Sequence, residues 1–401
     1  MYLFRRVLLW LGAAVGLLLA GGFVFALIRF GPVPLTLAWA KDAPNGPAAA
    51  PPLATPFDPE AARGALAREV YGATPPPGEV RVLDRLDATY RGVPLVQLEL
   101  AVDLPGGRTR PFGITLLDNS DSGGGPLIIW SSFSPRGAAI PHPDVPGAPM
   151  EGMMSDVVEF GFGRYIQTPP TDMILSHGYS FAVMHPPELV PDRAEAAEAA
   201  LGVFGGEPRT GAVAAWGWAV SRALDALEGE GLADRPVIAA GHSRYGKSAL
   251  WAAAHDVRID AVISHQSGTG GASLSRGKRG ETVAEITESY PHWFAPGYAE
   301  DTLTIDQHHL LALVAPRPLL LGGARRDVWS DPNGALRAAV GAAPVWEAAT
   351  GRAPLAAERL DVFAPTADIA MWTRPGTHGV VEEDWPAFLD FLDAHFADAE
   401  D

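Results

Sequence analysis

PVIAAGHSRYGKSALW, residues 236–251, holds a short apolar run, a turn of small and polar residues, and then a helical pattern. The run 236–240 reads as a strand and KSALWAAAH (247–255) as a helix. A strand, a sharp turn with Ser at its apex and a helix make a nucleophile elbow. Gly241 suits such a turn, because the returning chain crowds any side chain two residues before Ser243. The backbone N–H of Arg244 would then face the place where a carbonyl oxygen becomes an oxyanion. The helix N-terminus adds partial positive charge at the same spot. The usual spacing is Gly-x-Ser-x-Gly, whereas here the second glycine stands one place late, at Gly246. On spacing alone two other readings stay open, a plain strand-to-helix turn and a phosphate-binding loop. Lys247-Ser248 supplies the Lys and hydroxyl of a phosphate loop, but a longer Gly-rich stretch is missing and Ser243 goes unexplained.

Outward from this turn, short apolar runs alternate with helical stretches. PLIIWSS (126–132), YSFAVMH (179–185), AVIS (261–264) and PLLLGG (318–323) read as strands. AVAAWGWAVSRALDALE (212–228) has helical periodicity, and Trp216 and Trp218 within it read as core. In VEEDWPAFLDFLDAHFA (381–397), Trp385, Phe388, Leu389, Leu392 and Phe396 mark one helical face. VPLVQLELAVDLP (93–105) and RPFGITLLDN (110–119) read as antiparallel strands between Pro/Gly breaks. The expected fold is an α/β-hydrolase three-layer sandwich, with a mostly parallel central sheet and antiparallel N-terminal strands. Ligands then bind beyond the carboxyl ends of the strands.

The chain has 401 residues, no cysteine and a formal net charge of −17. Without clustered Lys and Arg, nucleic acid is not an expected partner. The lack of cysteine removes disulfides, thiolate metal sites and a Cys nucleophile. No metal or organic cofactor is implied. MYLFRR precedes an uncharged apolar stretch over 7–28. At ~1.5 Å per residue it is long enough for the ~30 Å hydrocarbon core, whereas a signal's apolar region needs only ~7–15 residues. An anchor or a cleaved signal is expected in 1–30, the latter cut near Ala38-Trp39-Ala40, and Arg5 and Arg6 favour a cytoplasmic N-terminus. Either way the bulk of the chain is expected to be exported. Residues 31–59 read as a Pro/Ala-rich linker, and 60–401 as one catalytic domain.

GHSRYGKSALW also resembles the Gly-x-Ser-Arg-x-Gly-Lys signature of glucuronoyl esterases, carbohydrate esterases that cleave esters of 4-O-methyl-glucuronic acid. The resemblance covers most of residues 170–385. It includes WGWAVSRALDALE, SHQSGTGGASLSR, RGETVAEITESYPHWFAPGY, DQHHLLALVAPRP and RRDVWSDP in the family's order.

A Ser hydroxyl needs a base to take its proton, and in α/β-hydrolases acid and His follow the Ser in that order. Of eleven histidines, His378 is the expected base, in the Gly-bracketed loop RPGTHGVV before the last helix, where the family places its His. His265 and His292 are candidates to line the pocket. His177, His255 and His395 fall in or beside helices, and His308-His309 point different ways on one. Many glucuronoyl esterases carry a Glu immediately before Ser-Gly after the next strand, but here Gln266 stands there. A neutral amide can orient an imidazole without stabilising imidazolium by charge. Some bacterial relatives use an acid in the loop after the following strand. In this chain that loop is RRDVWSDP, with Asp327 expected as the acid and Asp331 as the alternative.

The resemblance further implies that Lys247 donates to sugar hydroxyls, that Trp329 packs on the ring and that Arg244 aids the oxyanion. Glu285 matches a sugar-contacting Glu if a one-residue shift is allowed, and Gln266 is expected among the substrate-binding residues. The segment SSFSPRGAAIPHP after PLIIW departs from the family's Asn-containing loop, which bears on the substrate more than on the reaction. The expected function is a serine esterase acting through an acyl-enzyme on 4-O-methyl-glucuronoyl esters of plant cell-wall xylan and lignin. The alternatives are an esterase for another carbohydrate acyl or methyl-uronate ester, and a non-catalytic carbohydrate-binding protein on a hydrolase fold.

Overall fold

A computed structural model describes residues 10–22, 51–119, 125–232 and 234–397. Within them one sheet is built from β1 (Glu79–Tyr90), β2 (Val93–Leu104), β3 (Arg108–Leu117), β4 (Leu127–Ser131), β5 (Ser180–Met184), β6 (Val237–His242), β7 (Ala261–His265), β8 (Leu319–Ala324) and β9 (Ile369–Arg374). The strand order is β1-β2-β3-β5-β4-β6-β7-β8-β9. Pairing is antiparallel from β1 to β5 and parallel from there to β9.

The short central strands are buried along their whole length, as strands covered on both faces must be. In β6, Val237 and Ala239 join the core on one side of the sheet, and Ile238 and Ala240 the core on the other. The first side is covered by α2 (Ala212–Leu227), α3 (Arg244–His255) and α4 (Pro332–Thr350), the second by α5 (Asp384–Phe396). α2 packs close to α3 because it is rich in Ala and Gly. A Cβ on Gly217 would lie 2.8 Å from the Ser248 carbonyl oxygen. Trp216 and Trp218 are core residues. In α5, Trp385, Phe388, Leu389 and Leu392 are fully buried and Phe396 partly. Fully burying each such side chain is worth roughly 2 kcal/mol, so packing rather than helix propensity holds this element. The arrangement is that of an α/β-hydrolase.

Several elements lack the patterns read from the sequence. β1 is an edge strand bearing Arg81, Asp84, Arg85 and Asp87 and is largely exposed. Residues 81–85 are exposed on both faces, while Leu86, Ala88 and Tyr90 turn one face of the second half toward the core. β9 completes the other edge. α1 (Met153–Phe162), between β4 and β5, has no buried residue.

Only residues 10–22 of the apolar stretch 7–28 are described; they form an exposed helix. No described helix is long and apolar enough to cross a membrane. The remainder of the expected anchor or signal, and linker residues 31–50, lie outside the described residues. The end of the expected linker is not a free spacer. Leu53 and Phe57 pack against the core, and the Leu53 N–H donates to the Gly341 carbonyl at 2.9 Å.

Candidate active site

Between the last residue of β6 and the first of α3 stands Ser243 alone, with φ 55° and ψ −123°. A non-glycine residue held at positive φ is strained, and the surroundings must impose it. They do so through its backbone. The Ser243 N–H donates to the His265 carbonyl at 2.8 Å, and its own carbonyl accepts from the N–H groups of Gly246 at 3.0 Å and Lys247 at 3.2 Å. A Cβ on Gly241 would stand 2.5 Å from the Tyr245 carbonyl group, so only glycine fits the return of the chain. A Cβ on Gly246 would meet the Gly241 oxygen at 3.0 Å and the Ser267 Cβ at 3.1 Å. The late glycine is thus where α3 crosses closest to the end of β7.

Gly241, Gly246, Lys247 and Ser248 do have phosphate-loop spacing, but their geometry is different. The Lys247 ammonium donates to the carbonyls of Ser267 at 2.5 Å and Thr269 at 2.6 Å, and the Ser248 hydroxyl donates to Tyr245 at 2.9 Å. A one-residue turn also has no run of N–H groups to wrap a phosphate.

His378 lies in the loop after β9, and its Nδ1 is 2.8 Å from Asp327 Oδ2, in the loop after β8. Ser330 Oγ is 3.2 Å from the same nitrogen. An Nδ1–H aimed at a carboxylate leaves Nε2 with the lone pair. Asp327 is fully buried. Burial alone raises its pKa, but the facing His378 and hydrogen bonds from His378 and Ser330 outweigh that and hold it below its ordinary value. Asp331, the alternative acid, points elsewhere: it caps α4, accepting from the Gly334 N–H at 2.9 Å.

Ser243 and His378 line one cavity of about 500 Å³, together with Lys247, Glu281, Trp329 and Gln266. Glu285 is not in it. That residue completes a capping box, accepting from the Thr282 N–H at 2.8 Å. Glu281, four residues earlier and one before the helix cap, is the carboxylate that lines the cavity. Burial raises its pKa, opposed by the charges of Lys247 and Lys278 and by a hydrogen bond from Trp329. Burial pushes the Lys247 ammonium the opposite way, toward neutral, opposed by Glu281. Within RGETVAE the Thr282-x-x-Glu285 spacing is a capping-box signature, which marks Glu285 as a helix cap and could have singled out Glu281 instead. Gln266 lines the wall, yet its side-chain amide is committed to the backbone of Thr377 and Gly379, so it has little to offer a ligand.

The Arg244 guanidinium sits among aromatic faces, 4.6 Å from the Trp293 centroid and 5.4 Å from that of Tyr290. It pairs with Asp192, which also accepts from His292 Nε2 at 3.0 Å and Trp293 Nε1 at 2.7 Å. His292 therefore braces Asp192 from outside the cavity lining. His265 is fully buried beneath the loop of His378, with Nε2 3.0 Å from the Gly379 carbonyl. Residues 131–143, where the sequence departs from the family, do not line this cavity; α1, further along between β4 and β5, contributes Val157, Phe160 and Phe162 as an apolar wall. Among the described residues no group of His, Asp and Glu is arranged to hold a metal ion.

A family model described as "Glucuronyl esterase, fungi" matches residues 191–350. A carbohydrate esterase from an unknown prokaryotic organism is 42% identical over 193 residues, 46% of this chain and 44% of that protein. A 4-O-methyl-glucuronoyl methylesterase from Phanerochaete carnosa is 32% identical over 161 residues, 36% of this chain and 40% of that one. The chain thus matches less than half the length of these curated relatives. A solved glucuronoyl esterase from Solibacter usitatus superposes with a TM-score of 0.70 at 28% identity, covering 89% of this chain and 99% of that one.

Proposed function

We propose that this chain, a member of the glucuronoyl esterase family, is a serine esterase that cleaves glucuronoyl and related uronic esters of plant cell-wall polysaccharide. The observation that carries this reading is the 2.8 Å contact of His378 with buried Asp327, in a loop that brings His378 into the cavity of Ser243. Ser243 attacks the ester carbonyl as His378 Nε2 takes its proton. The oxyanion forms at the start of α3, beside the Arg244 N–H and under the helix dipole. His378 returns the proton to the departing alcohol, and water resolves the acyl-enzyme by the same route.

An esterified uronate is neutral, so its recognition rests on hydroxyls and ring faces. Lys247, Glu281 and Trp329 supply a donor, an acceptor and an aromatic plane on one wall of the cavity. The specificity test compares benzyl glucuronate with a simple aryl acetate. The uronate ester should win in kcat/KM by at least about 100-fold, because sugar-binding polar groups stay unpaired with a bare acetyl. Equal rates would favour the broader esterase, a reading to which the apolar wall of α1 lends weight. Export belongs to the proposal too and rests on the apolar stretch 7–28 behind Arg5 and Arg6.

Lys247 sets a pH dependence. Because burial favours its neutral form, it should lose its proton at a lower pH than an exposed lysine, and with it a charged donor to sugar oxygens. KM for the uronate ester is expected to rise with pH on the alkaline side. In Lys247→Met, KM should be high and flat across the same range. A wild-type KM independent of pH would remove Lys247 from the sugar site.

A further inference from the structure

The position before Ser-Gly, where many relatives carry an acid, is occupied by an amide whose two ends grip the peptide groups on either side of the catalytic histidine. Gln266 Nε2 donates to the Thr377 carbonyl at 3.2 Å, and Gln266 Oε1 accepts from the Gly379 N–H at 2.7 Å. The amide's orientation follows from the partners, since a carbonyl only accepts and a backbone N–H only donates. Its base is fixed as well. Gln266 has φ 48°, its N–H donates to the Gly322 carbonyl at 2.8 Å, and its carbonyl accepts from Ser330 Oγ at 3.3 Å. The Gly379 carbonyl is held from the other side by His265 Nε2 at 3.0 Å and Arg374 Nη2 at 2.9 Å. Arg374 in turn pairs with buried Asp384 at 2.9 Å.

We infer that Gln266 is a positioning residue for catalysis: it locks the loop of His378 in register with Asp327, and it can do so only as a neutral donor–acceptor. A carboxylate at this place has no hydrogen to give Thr377 and would set negative charge against that carbonyl. A carboxylic acid can still do both jobs, donating its O–H to Thr377 and accepting from Gly379. Relocating the triad acid to the loop after β8 thus released this position for a clamp that an ionised acid could not supply. The inference rests on the serine-esterase reading.

The prediction is read in Gln266→Glu and Gln266→Met by the second-order rate of fluorophosphonate labelling of Ser243, which needs no sugar, alongside kcat and KM on benzyl glucuronate. The chargeable groups around position 266 are His265, Asp327, His378, Arg374 and Asp384, with His242 of β6 4.5 Å from the His378 ring centroid and Arg244, Lys247 and Glu281 across the cavity. The ratio of Gln266→Glu to wild type should lie near one at low pH, where the introduced carboxyl is protonated. It should fall by at least about 10-fold as pH rises through that group's pKa, in labelling rate and kcat but not in KM. Gln266→Met should be slowed by a similar factor at every pH. A merely structural role would lower thermal stability without this split in the pH profiles. A Gln266→Glu enzyme as fast as wild type at alkaline pH, or a Gln266→Met enzyme with unchanged labelling, overturns the inference. Failure of the wild type to be labelled would instead overturn the esterase reading itself.

Discussion

Ser243→Ala is expected to lose essentially all turnover of benzyl glucuronate, a drop on the order of 10⁶-fold in kcat, the scale for removing a triad nucleophile. What remains would come from the oxyanion site and from binding alone. The variant should stay folded. Alanine inherits the positive φ of Ser243 without adding to it, and the backbone hydrogen bonds from Gly246 and Lys247 persist. Its thermal unfolding should therefore match wild type within a few degrees. Intact mass after fluorophosphonate treatment provides the second measurement, with one adduct on wild type and none on the variant. Turnover surviving in Ser243→Ala would mean that another group attacks the ester. An unlabelled wild type with a native melt would point instead to a carbohydrate-binding protein that has kept only the fold.

Asp327→Asn is expected to cost on the order of 10⁴-fold in kcat, with KM little changed. The amide is nearly isosteric, so the loop after β8 need not move. Asparagine can, however, turn its NH₂ toward His378 Nδ1, which forces the proton onto Nε2 and removes the base. It also removes the negative charge that supports imidazolium. Asp331→Asn serves as the control, because Asp331 caps α4 and lies outside the contact with His378. That change should leave kcat nearly intact. If Asp331→Asn cost more activity than Asp327→Asn, the acid would have been assigned to the wrong side of the loop. The sign of the pH effect on stability follows too. Asp327 has a lower pKa folded than its ordinary value of 3.8, so it contributes stability above that pH. The contribution fades as pH falls through the folded value, and Asp327→Asn should flatten this acid limb.

The central strands, α2, α3 and α5 were legible in the sequence because their burial is local and periodic. A strand covered on both faces is a short apolar run, and α5 repeats its large side chains along one face. β1 was not, because residues 81–85 are exposed on both faces and only Leu86, Ala88 and Tyr90 near its end face the core. α1 follows a different rule: six of its ten residues are Met, Val or Phe, yet none is buried, and Val157, Phe160 and Phe162 face the cavity instead. The two glutamates at the site, by contrast, are told apart by a local signal, the Thr282-x-x-Glu285 spacing of a capping box. Glu281 and Glu285 differ in role only because Thr282 starts a helix between them, turning one toward the cavity and the other into a cap.

The amino-acid order by itself placed Gly241, Ser243 and Gly246 within six residues between a strand and a helix, which suits an elbow but left a phosphate loop open on spacing alone. The backbone of Ser243 and the hydrogen bonds of Lys247 and Ser248 separated the two. The amino-acid order also determined which residues could act as base and acid. Only tertiary structure put Asp327 rather than Asp331 against His378 and gave Gln266 its grip on the loop of His378. Those outcomes depend on ångström-scale distances between segments remote along the chain, as Asp327 and His378, 51 positions apart, illustrate. Packing of the whole sheet sets such distances, and no local pattern encodes them.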